Sequence, residues 1–221
     1  MLNKFGVFTE TLTCHYISQT LDALSYLHQQ GIIHRDIKGA NILSDSDGVV
    51  KLTDFGVATK FRRDFSEDQQ LPAGTMSFMA PEIVKMTSPP TYACDIWSLG
   101  ATVIELLTGK PPYADEEGMA VAYRIVNDET PPMPLNVSAA CTNFLLECFQ
   151  KDPDLRISSK LLRKHDWLEF HRESKKSTIQ QHKSSLMKSR LTAFEDILSP
   201  KSPKPPFTAS KWYFECQLEE K

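Results

Sequence analysis

Cysteine pairs and metal-binding cysteine motifs are missing from this 221-residue sequence. No C-x-x-C pair occurs, and no histidine stands at metal-ligand spacing from a cysteine. An odd, scattered set of cysteines indicates reduced thiols in an intracellular compartment, rather than a disulfide framework or a zinc site. The five cysteines are Cys14, Cys94, Cys141, Cys148 and Cys216.

Long apolar runs are missing as well. No stretch of the sequence has the roughly 20 consecutive apolar residues that a membrane-spanning helix requires. The first ten residues, MLNKFGVFTE, lack the apolar core of a secretory signal peptide. We therefore expect a cytoplasmic protein without a membrane span.

The sequence has no strong excess of charge of either sign. Its 25 Lys and Arg and 28 Asp and Glu give a formal net charge of −3. Residues 170–221 carry 10 basic and 6 acidic side chains, whereas residues 1–169 carry 15 and 22. An acidic main body argues against nucleic acid as a partner. The Lys, Ser, Gln and Pro content of residues 170–221 predicts a basic, mainly disordered tail after a folded domain of residues 1–169.

The stretch that carries the most chemistry covers residues 34–56, HRDIKGANILSDSDGVVKLTDFG. Asp36 and Asn41 stand five positions apart, and Asp54 follows after two short apolar segments that flank a D-S-D-G turn. Such a pattern predicts a β-hairpin, which would bring Asn41 and Asp54 together. Their side chains offer the hard oxygen atoms that Mg²⁺ prefers.

This stretch resembles the H-R-D-x-x-x-x-N loop and the D-F-G turn of the eukaryotic protein kinases. The resemblance implies that Asp36 accepts the proton of a substrate hydroxyl, and that Lys38 lies near the transferred phosphate of ATP. It implies further that Asn41 and Asp54 bind Mg²⁺ and that Leu43 lies under the adenine. ATP and Mg²⁺ are therefore the expected cofactors. A lysine two positions after the loop aspartate is typical of serine/threonine kinases, so the expected partner is a protein with a Ser or Thr acceptor.

The same resemblance assigns structural roles to the neighbours of the catalytic aspartate. It implies that His34 packs against Phe55 of the D-F-G turn, which ends at Gly56, rather than taking part in acid–base chemistry. Arg35 is typical of kinases whose activation segment is ordered by a phosphate that pairs with this arginine.

The segment after the D-F-G turn contains three candidate phosphate acceptors, Ser66, Thr75 and Ser77. Thr75 follows a glycine as in the family, where the threonine hydroxyl bonds near the catalytic aspartate and lysine. We therefore expect Thr75 to be a substrate-docking residue rather than the phosphorylated one.

Three further residues match family positions outside the loop. Glu82 ends the A-P-E motif that closes the activation segment. Asp95 lies in the sequence YACDIWSLGATVIELLTG, where the family's aspartate binds the backbone of the catalytic loop. Arg156 stands where a late arginine of the family pairs with the A-P-E glutamate.

Finer details resemble one branch of the kinases. The runs HRDIKGANIL, KLTDFGVATK, MAPEIV and DIWSLGATVIELLTGKPPY are similar to the STE group and its MAP kinase kinase kinases. The likeness is greatest to the fungal septation and mitotic-exit kinases, which implies a location at the spindle pole or the division site.

Periodicity predicts a mostly helical protein with small β-hairpins, an α+β fold. The resemblance identifies it as the large C-terminal lobe of a kinase without the N-terminal β lobe. Thr9 is a suitable N-cap for the first helix. Residues 92–109 are apolar on nearly every side and predict a central buried helix that ends at Gly109.

Three later helices are expected. The first covers residues 116–127, the second begins after Ser138, and the last runs from Ser158 to about Leu168. The helix after Ser138 is expected to bury Leu145, Leu146, Cys148 and Phe149.

The 221 residues contain no Gly-rich loop, no V-A-I-K lysine and no helical glutamate to pair with it. One hypothesis is therefore that the chain is a fragment of a kinase. Such a fragment would be poorly active without the missing lobe or a regulatory protein. The alternative is a catalytically inert, kinase-like module that binds a kinase or a substrate.

Overall fold

The computed structural model describes residues 6–45, 48–54, 59–60 and 73–169, all of which lie within one unit, Met1–Arg172. The predictions about Phe55, Gly56, Ser66, Cys216 and the segment 170–221 fall outside these residues. The described part is mostly helical with short antiparallel strands, as the sequence predicted. Its helices are α1 (Glu10–Gln29), α2 (Pro81–Val84), α3 (Tyr92–Thr108), α4 (Met119–Asn127), α5 (Ala139–Cys148) and α6 (Ser159–Leu162).

Helix α1 begins where the sequence predicted. The N–H of Leu12 donates to Thr9 Oγ1 at 3.3 Å, so Thr9 is the N-cap. The inward face of the helix repeats at helical spacing through Ile17, Leu21 and Leu24, which are fully buried. This face packs against α3 and against the strand before Asp54, and so joins the site to the core.

Helix α3 is the central helix of the described part. The Thr91 side chain caps its start, and Gly109 ends it in the left-handed conformation at a φ of 79°. Residues on all sides of α3 are buried, because α1, α5 and the loop segments surround it. The predicted central helix is therefore confirmed. No helix in the described part of the chain is long and apolar enough to cross a membrane.

Gly100 allows α3 and α5 to approach each other closely. A Cβ atom at Gly100 would lie 2.8 Å from Cys148 Cβ and 3.0 Å from the Phe149 ring. Non-bonded contacts of a Cβ atom are essentially never shorter than 3.0 Å, so a side chain at this position would force its neighbours to shift. A glycine at this position is therefore required by the packing of α3 against α5.

Helix α5 confirms the predicted cap and corrects one residue of its inward face. The N–H of Cys141 donates to Ser138 Oγ at 3.1 Å. Phe144, Leu145 and Cys148 are fully buried, but Leu146 is 49% exposed, so its predicted inward orientation is wrong. Each helical residue turns by about 100°, which rotates Leu146 out of the face that contacts α3.

Two helices are shorter than the sequence indicated. Helix α4 begins at Met119 rather than at residue 116, after Gly118 with a φ of 52°. The expected last helix is two short pieces, because α6 ends at Leu162 and a second turn covers residues 166–169. His165 separates the pieces by accepting the N–H of Trp167 at its Nδ1 atom, 3.2 Å away.

In the residues that the structure describes, four short strands form two antiparallel pairs. Strand β1 (Ile32–Ile33) pairs with β4 (Thr59–Lys60), and β2 (Ile42–Ser44) pairs with β3 (Val50–Leu52). The second pair is the hairpin that the sequence predicted between Asn41 and Asp54. Its register places Ile42 opposite Leu52, so the residues just before β2 and just after β3 are neighbours.

Replacing Gly100 by alanine should lower the free energy of unfolding by about 1–3 kcal/mol, the usual cost of overpacking a core. The cost should appear although alanine is the better helix former. The midpoint of urea denaturation at unchanged slope measures it. Glu147→Ala, on the exposed side of α5, is the matched control and should change stability by less than about 0.5 kcal/mol. A midpoint that Gly100→Ala leaves unchanged would contradict the close packing.

Candidate active site

The β2–β3 hairpin brings the Asp54 segment to Asn41. The Thr53 N–H donates to the carbonyl oxygen of Asn41 at 3.0 Å, and the Thr53 hydroxyl donates to the same oxygen at 3.2 Å. Asp54 follows directly, with a φ of 62°. An aspartate in the left-handed region is uncommon and is found mainly at turns and functional sites. Thr53 thus makes Asn41 and Asp54 neighbours in space.

Asp36, Lys38 and Asn41 contact one another directly. Lys38 Nζ lies 2.8 Å from Asp36 Oδ2 and 3.0 Å from Asp36 Oδ1. The Asn41 side-chain amide donates to the Asp36 carbonyl oxygen and to Asp36 Oδ2, both at 2.8 Å. The Asp36 side chain is only 12% exposed. These contacts fix the Asp36 carboxylate between a cation and an amide.

The orientation of the Asn41 amide has a consequence for cation binding. Because its nitrogen donates twice to Asp36, the opposite orientation would place oxygen against oxygen, and the side-chain oxygen is the atom that remains for a cation. Asn41 and Asp54 together offer the donor types that suit Mg²⁺, which keeps several waters and few protein ligands. Within the described residues no group of three or more His, Cys, Asp or Glu forms a metal site, and Mg²⁺ does not require one.

Asp95 of α3 binds the backbone in front of Asp36. Its Oδ2 accepts the His34 N–H at 2.9 Å and its Oδ1 accepts the Arg35 N–H at 2.8 Å, and the side chain is fully buried. Arg35 has a φ of 67°. Such a conformation costs of the order of 1–3 kcal/mol in a non-glycine residue. The two hydrogen bonds to Asp95 help to stabilise it.

His34 connects the loop to the strand that leads to Asp54. Its Nδ1 accepts the Asp36 N–H at 3.4 Å, so the proton is on Nε2, which donates to the Thr53 carbonyl oxygen at 3.2 Å. The ring is fully buried. Both nitrogen atoms are therefore used for structure. The predicted contact with Phe55 lies outside the described residues.

The structure adds His28, which lies in the last turn of α1 and which the motifs did not indicate. Its Nε2 lies 2.9 Å from Asp95 Oδ2 and its Nδ1 lies 3.0 Å from Ser159 Oγ. The ring also packs on Tyr92 at a centroid distance of 4.9 Å. His28 thus orients the carboxylate that binds the loop. No local signal could have paired residues 67 positions apart.

Glu105 is a second residue that the sequence interpretation missed. It lies on α3, and its Oε2 accepts the N–H of Gly39 at 2.8 Å. A signal was available, because Asp95 and Glu105 are the only charged residues of α3. A charge in an otherwise apolar helix requires a polar partner.

Glu82 and Arg156 form a buried ion pair beside the site. Arg156 donates to both carboxylate oxygens of Glu82, at 2.7 and 3.0 Å, with side-chain exposures of 0% and 5%. The guanidinium also donates to the carbonyl oxygens of Ala93 and Gln150, both at 2.8 Å. The pair therefore connects α2, the start of α3 and the segment before α6.

A small pocket of about 40 Å³ opens beside Asp36. Its wall includes Phe78, Met79 and Cys94. Burial raises the pKa of the Cys94 thiol well above its ordinary value, and the nearby carboxylates Asp95 and Glu82 raise it further. Cys94 therefore remains a thiol and an apolar wall rather than a nucleophile.

Two predicted site residues are placed only in part. Thr75 lies in a 3₁₀ turn, Ala73–Phe78, and its side chain is outside the described residues. Leu43 lies on β2 and is 50% exposed. Its side chain is therefore accessible on the surface of the hairpin that joins Asn41 to Asp54.

Comparison with known proteins matches residues 1–168 to the protein kinase domain. Cytokinesis protein sepH of Emericella nidulans is 53% identical over 180 residues, which cover 79% of the chain and 13% of that protein. Cell division control protein 7 of Schizosaccharomyces pombe is 47% identical over 204 residues, which cover 90% and 18%. MAP3K epsilon protein kinase 2 of Arabidopsis thaliana is 50% identical over 179 residues, which cover 80% and 13%. The chain thus spans less than a fifth of each of these relatives.

Glu82→Gln should destabilise the fold by about 3–5 kcal/mol, because it leaves the buried charge of Arg156 without its counter-charge. Urea denaturation measures the loss. The matched control is Asp22→Asn, which removes the acid from the exposed pair Asp22–Arg163 and should cost less than about 1 kcal/mol. If both substitutions lowered the free energy of unfolding equally, burial would not explain the contribution of the Glu82–Arg156 pair to stability.

Proposed function

Because the chain belongs to the protein kinase family, a family of enzymes, we propose that residues 1–168 are the substrate-binding and catalytic-loop part of an ATP-dependent serine/threonine kinase. The observation that carries the proposal is the direct contact of Asp36 with Lys38 and Asn41. This contact brings together a carboxylate that can accept a proton, a cation that can bind phosphate and an amide whose oxygen can bind a metal ion.

In the proposed reaction the hydroxyl oxygen of a substrate serine or threonine attacks the γ-phosphorus of ATP. The bond from that phosphorus to the β–γ bridging oxygen breaks, and ADP leaves with its electrons. The hydroxyl proton passes to the Asp36 carboxylate. Lys38 supplies positive charge beside the transferred group. Phosphoryl transfer depends on such positioning and counter-charge rather than on covalent help from the protein.

We assign the metal ligands to Asn41 and Asp54. The amide oxygen of Asn41 and the carboxylate of Asp54 would hold Mg²⁺, whose charge offsets that of the ATP phosphates when it is bound. The protein's own contribution is to fix the two ligands relative to each other. The hydrogen bonds of Thr53 to Asn41 support this role.

We further place the chain in the STE group, near the MAP kinase kinase kinases and the fungal septation kinases. The name of the Arabidopsis relative, MAP3K epsilon protein kinase 2, supports this branch. Two other relatives are named for cytokinesis and for cell division control. We therefore propose a cytoplasmic kinase that acts in cell division, at the spindle pole or the division site.

The groups that cover the nucleotide are proposed to come from another segment of polypeptide. Kinase transfer needs a lysine for the α- and β-phosphates and a glutamate that pairs with it. The sequence contains neither a Gly-rich loop nor a V-A-I-K motif. The described part corresponds in this proposal to the C-terminal lobe. A lobe or a regulatory protein that binds beside Leu43 would complete the site.

Purified alone, the 221-residue chain should phosphorylate a generic acceptor protein at least ~10²-fold more slowly than a form completed with the N-terminal lobe of a protein kinase. The expected size follows from the loss of one base, which already costs about 10²–10⁴-fold. Transfer of ³²P from ATP in Mg²⁺ measures both rates. Equal rates would mean that these 221 residues need no further groups.

Asp36→Asn in the completed form should lower the transfer rate by about 10²–10⁴-fold, because the substrate hydroxyl loses its proton acceptor. Asp115→Asn, at a side chain that is 91% exposed, is the control and should leave the rate unchanged. A rate that Asp36→Asn does not change would exclude the proposed mechanism. Failure of the completed form to bind ATP would instead favour the inert interaction module.

A further inference from the structure

We propose that Glu105 is a positioning residue for the catalytic loop and acts through the backbone of Gly39, between Lys38 and Asn41. The inference rests on the kinase function proposed above and extends it to a residue on the central helix. Glu105 is not proposed to touch ATP, metal or substrate.

The contact supplies a missing cap to the turn that carries Asn41. Gly39 is the first residue of a 3₁₀ turn, Gly39–Asn41, and the preceding residue, Lys38, gives the turn no side-chain cap. The first N–H groups of a helical turn have no partner within the turn. Glu105, 66 positions later in the chain, accepts the Gly39 N–H at 2.8 Å.

The capped turn sets the distance between two residues that contact Asp36. The Asn41 N–H donates to the Lys38 carbonyl oxygen at 3.0 Å, which closes the turn. Lys38 reaches Asp36 from one end of the turn and Asn41 reaches it from the other. A movement of the Gly39 backbone would therefore shift the cation and the amide relative to the carboxylate.

The fit between Gly39 and Glu105 leaves no room for a side chain. A Cβ atom at Gly39 would lie 2.7 Å from Glu105 Oε2 and 3.3 Å from its carboxyl carbon. The carboxyl group would have to move away, and the hydrogen bond would lengthen or break. The glycine is therefore matched to the acid opposite it.

The acid is costly at this position, which indicates that its contact matters. Glu105 is half-buried in an otherwise apolar part of α3. Burial raises the pKa of its carboxyl group, whereas the Gly39 N–H and the positive charge of Lys38 lower it. Packing alone would favour an apolar residue here.

Two acids on one helix thus bind two ends of the same loop. Asp95 accepts the N–H groups of His34 and Arg35, before Asp36. Glu105 lies ten residues further along α3, about 15 Å at 1.5 Å per residue, and binds Gly39 after Asp36. The rigid helix therefore fixes the loop on both sides of its catalytic carboxylate.

Hydrogen exchange of the Gly39 amide tests the contact in the 221-residue chain. NMR on ¹⁵N-labelled protein should show exchange ~10- to 100-fold faster in Glu105→Ala, as expected when a hydrogen bond to a charged group is lost. Glu105→Gln keeps a carbonyl acceptor and should stay close to the unmodified chain. Glu147→Ala, an exposed glutamate of α5, is the charge-matched control and should change nothing.

Kinetics in the lobe-completed form test the positioning role. Glu105→Ala should lower kcat by about 10- to 100-fold with the KM values for ATP and acceptor protein unchanged, because a small misplacement of catalytic groups has this effect. Glu105→Gln should recover most of the rate. Gly39→Ala disturbs the same hydrogen bond from the side of the loop and should lower kcat to a similar extent. This variant tests the positioning role if Glu105→Ala does not fold.

Three results would overturn the inference. The first is an unchanged exchange rate of the Gly39 amide in Glu105→Ala, and the second is an equal loss of kcat in Glu105→Gln and Glu105→Ala. The third is an effect of Glu105→Ala that is confined to the KM for the acceptor protein, because Glu105 would then be a substrate contact. If the completed form transfers no phosphate even with Asp36 intact, the kinase function fails, and the exchange measurement still decides whether Glu105 caps the loop.

Discussion

The site depends on one buried carboxylate, that of Asp95. A fully buried carboxylate is very unfavourable unless hydrogen-bond donors surround it, and here three donors do so: the N–H groups of His34 and Arg35 and the ring of His28. In return the carboxylate fixes two consecutive peptide groups directly before Asp36. Its charge therefore compensates for the left-handed conformation of Arg35 and aims the next residue into the site.

The remaining contacts make the loop rigid from other directions. His34 joins it to Thr53, and Thr53 joins the strand before Asp54 to Asn41. Lys38 and Asn41 then contact Asp36 through side chains that point back along the loop. Because these links come from α3, from the β2–β3 hairpin and from the loop itself, the arrangement of the acid, the cation and the amide is built within residues 34–54 and α3. In the proposed kinase function, a nucleotide would meet groups that are already positioned, which is how electrostatic catalysis avoids reorganisation.

Close packing of the helices explains why α3 can serve as a fixed support. Gly100 lets α5 approach α3, and the Glu82–Arg156 pair connects α2 to the segment before α6. A buried ion pair of this type specifies geometry more than it adds stability. The helix that carries Asp95 and Glu105 is thus held on one side by apolar contacts and on another by a directional ion pair, so its two acids keep a constant spacing beside the loop.

The sequence by itself determined the local features of this protein. The caps at Thr9 and Ser138, the stop at Gly109 and the hairpin between Asn41 and Asp54 depend on residues close in the chain. The H-R-D-x-x-x-x-N motif indicated Asp36 and its neighbours. Tertiary structure alone decided the partners of His28 and Glu105 and the outward turn of Leu146. These depend on residues tens of positions apart, or on which face of a helix meets its neighbour. Local pattern cannot specify such contacts, because it records which side chains need burial or a partner but not which distant group supplies it.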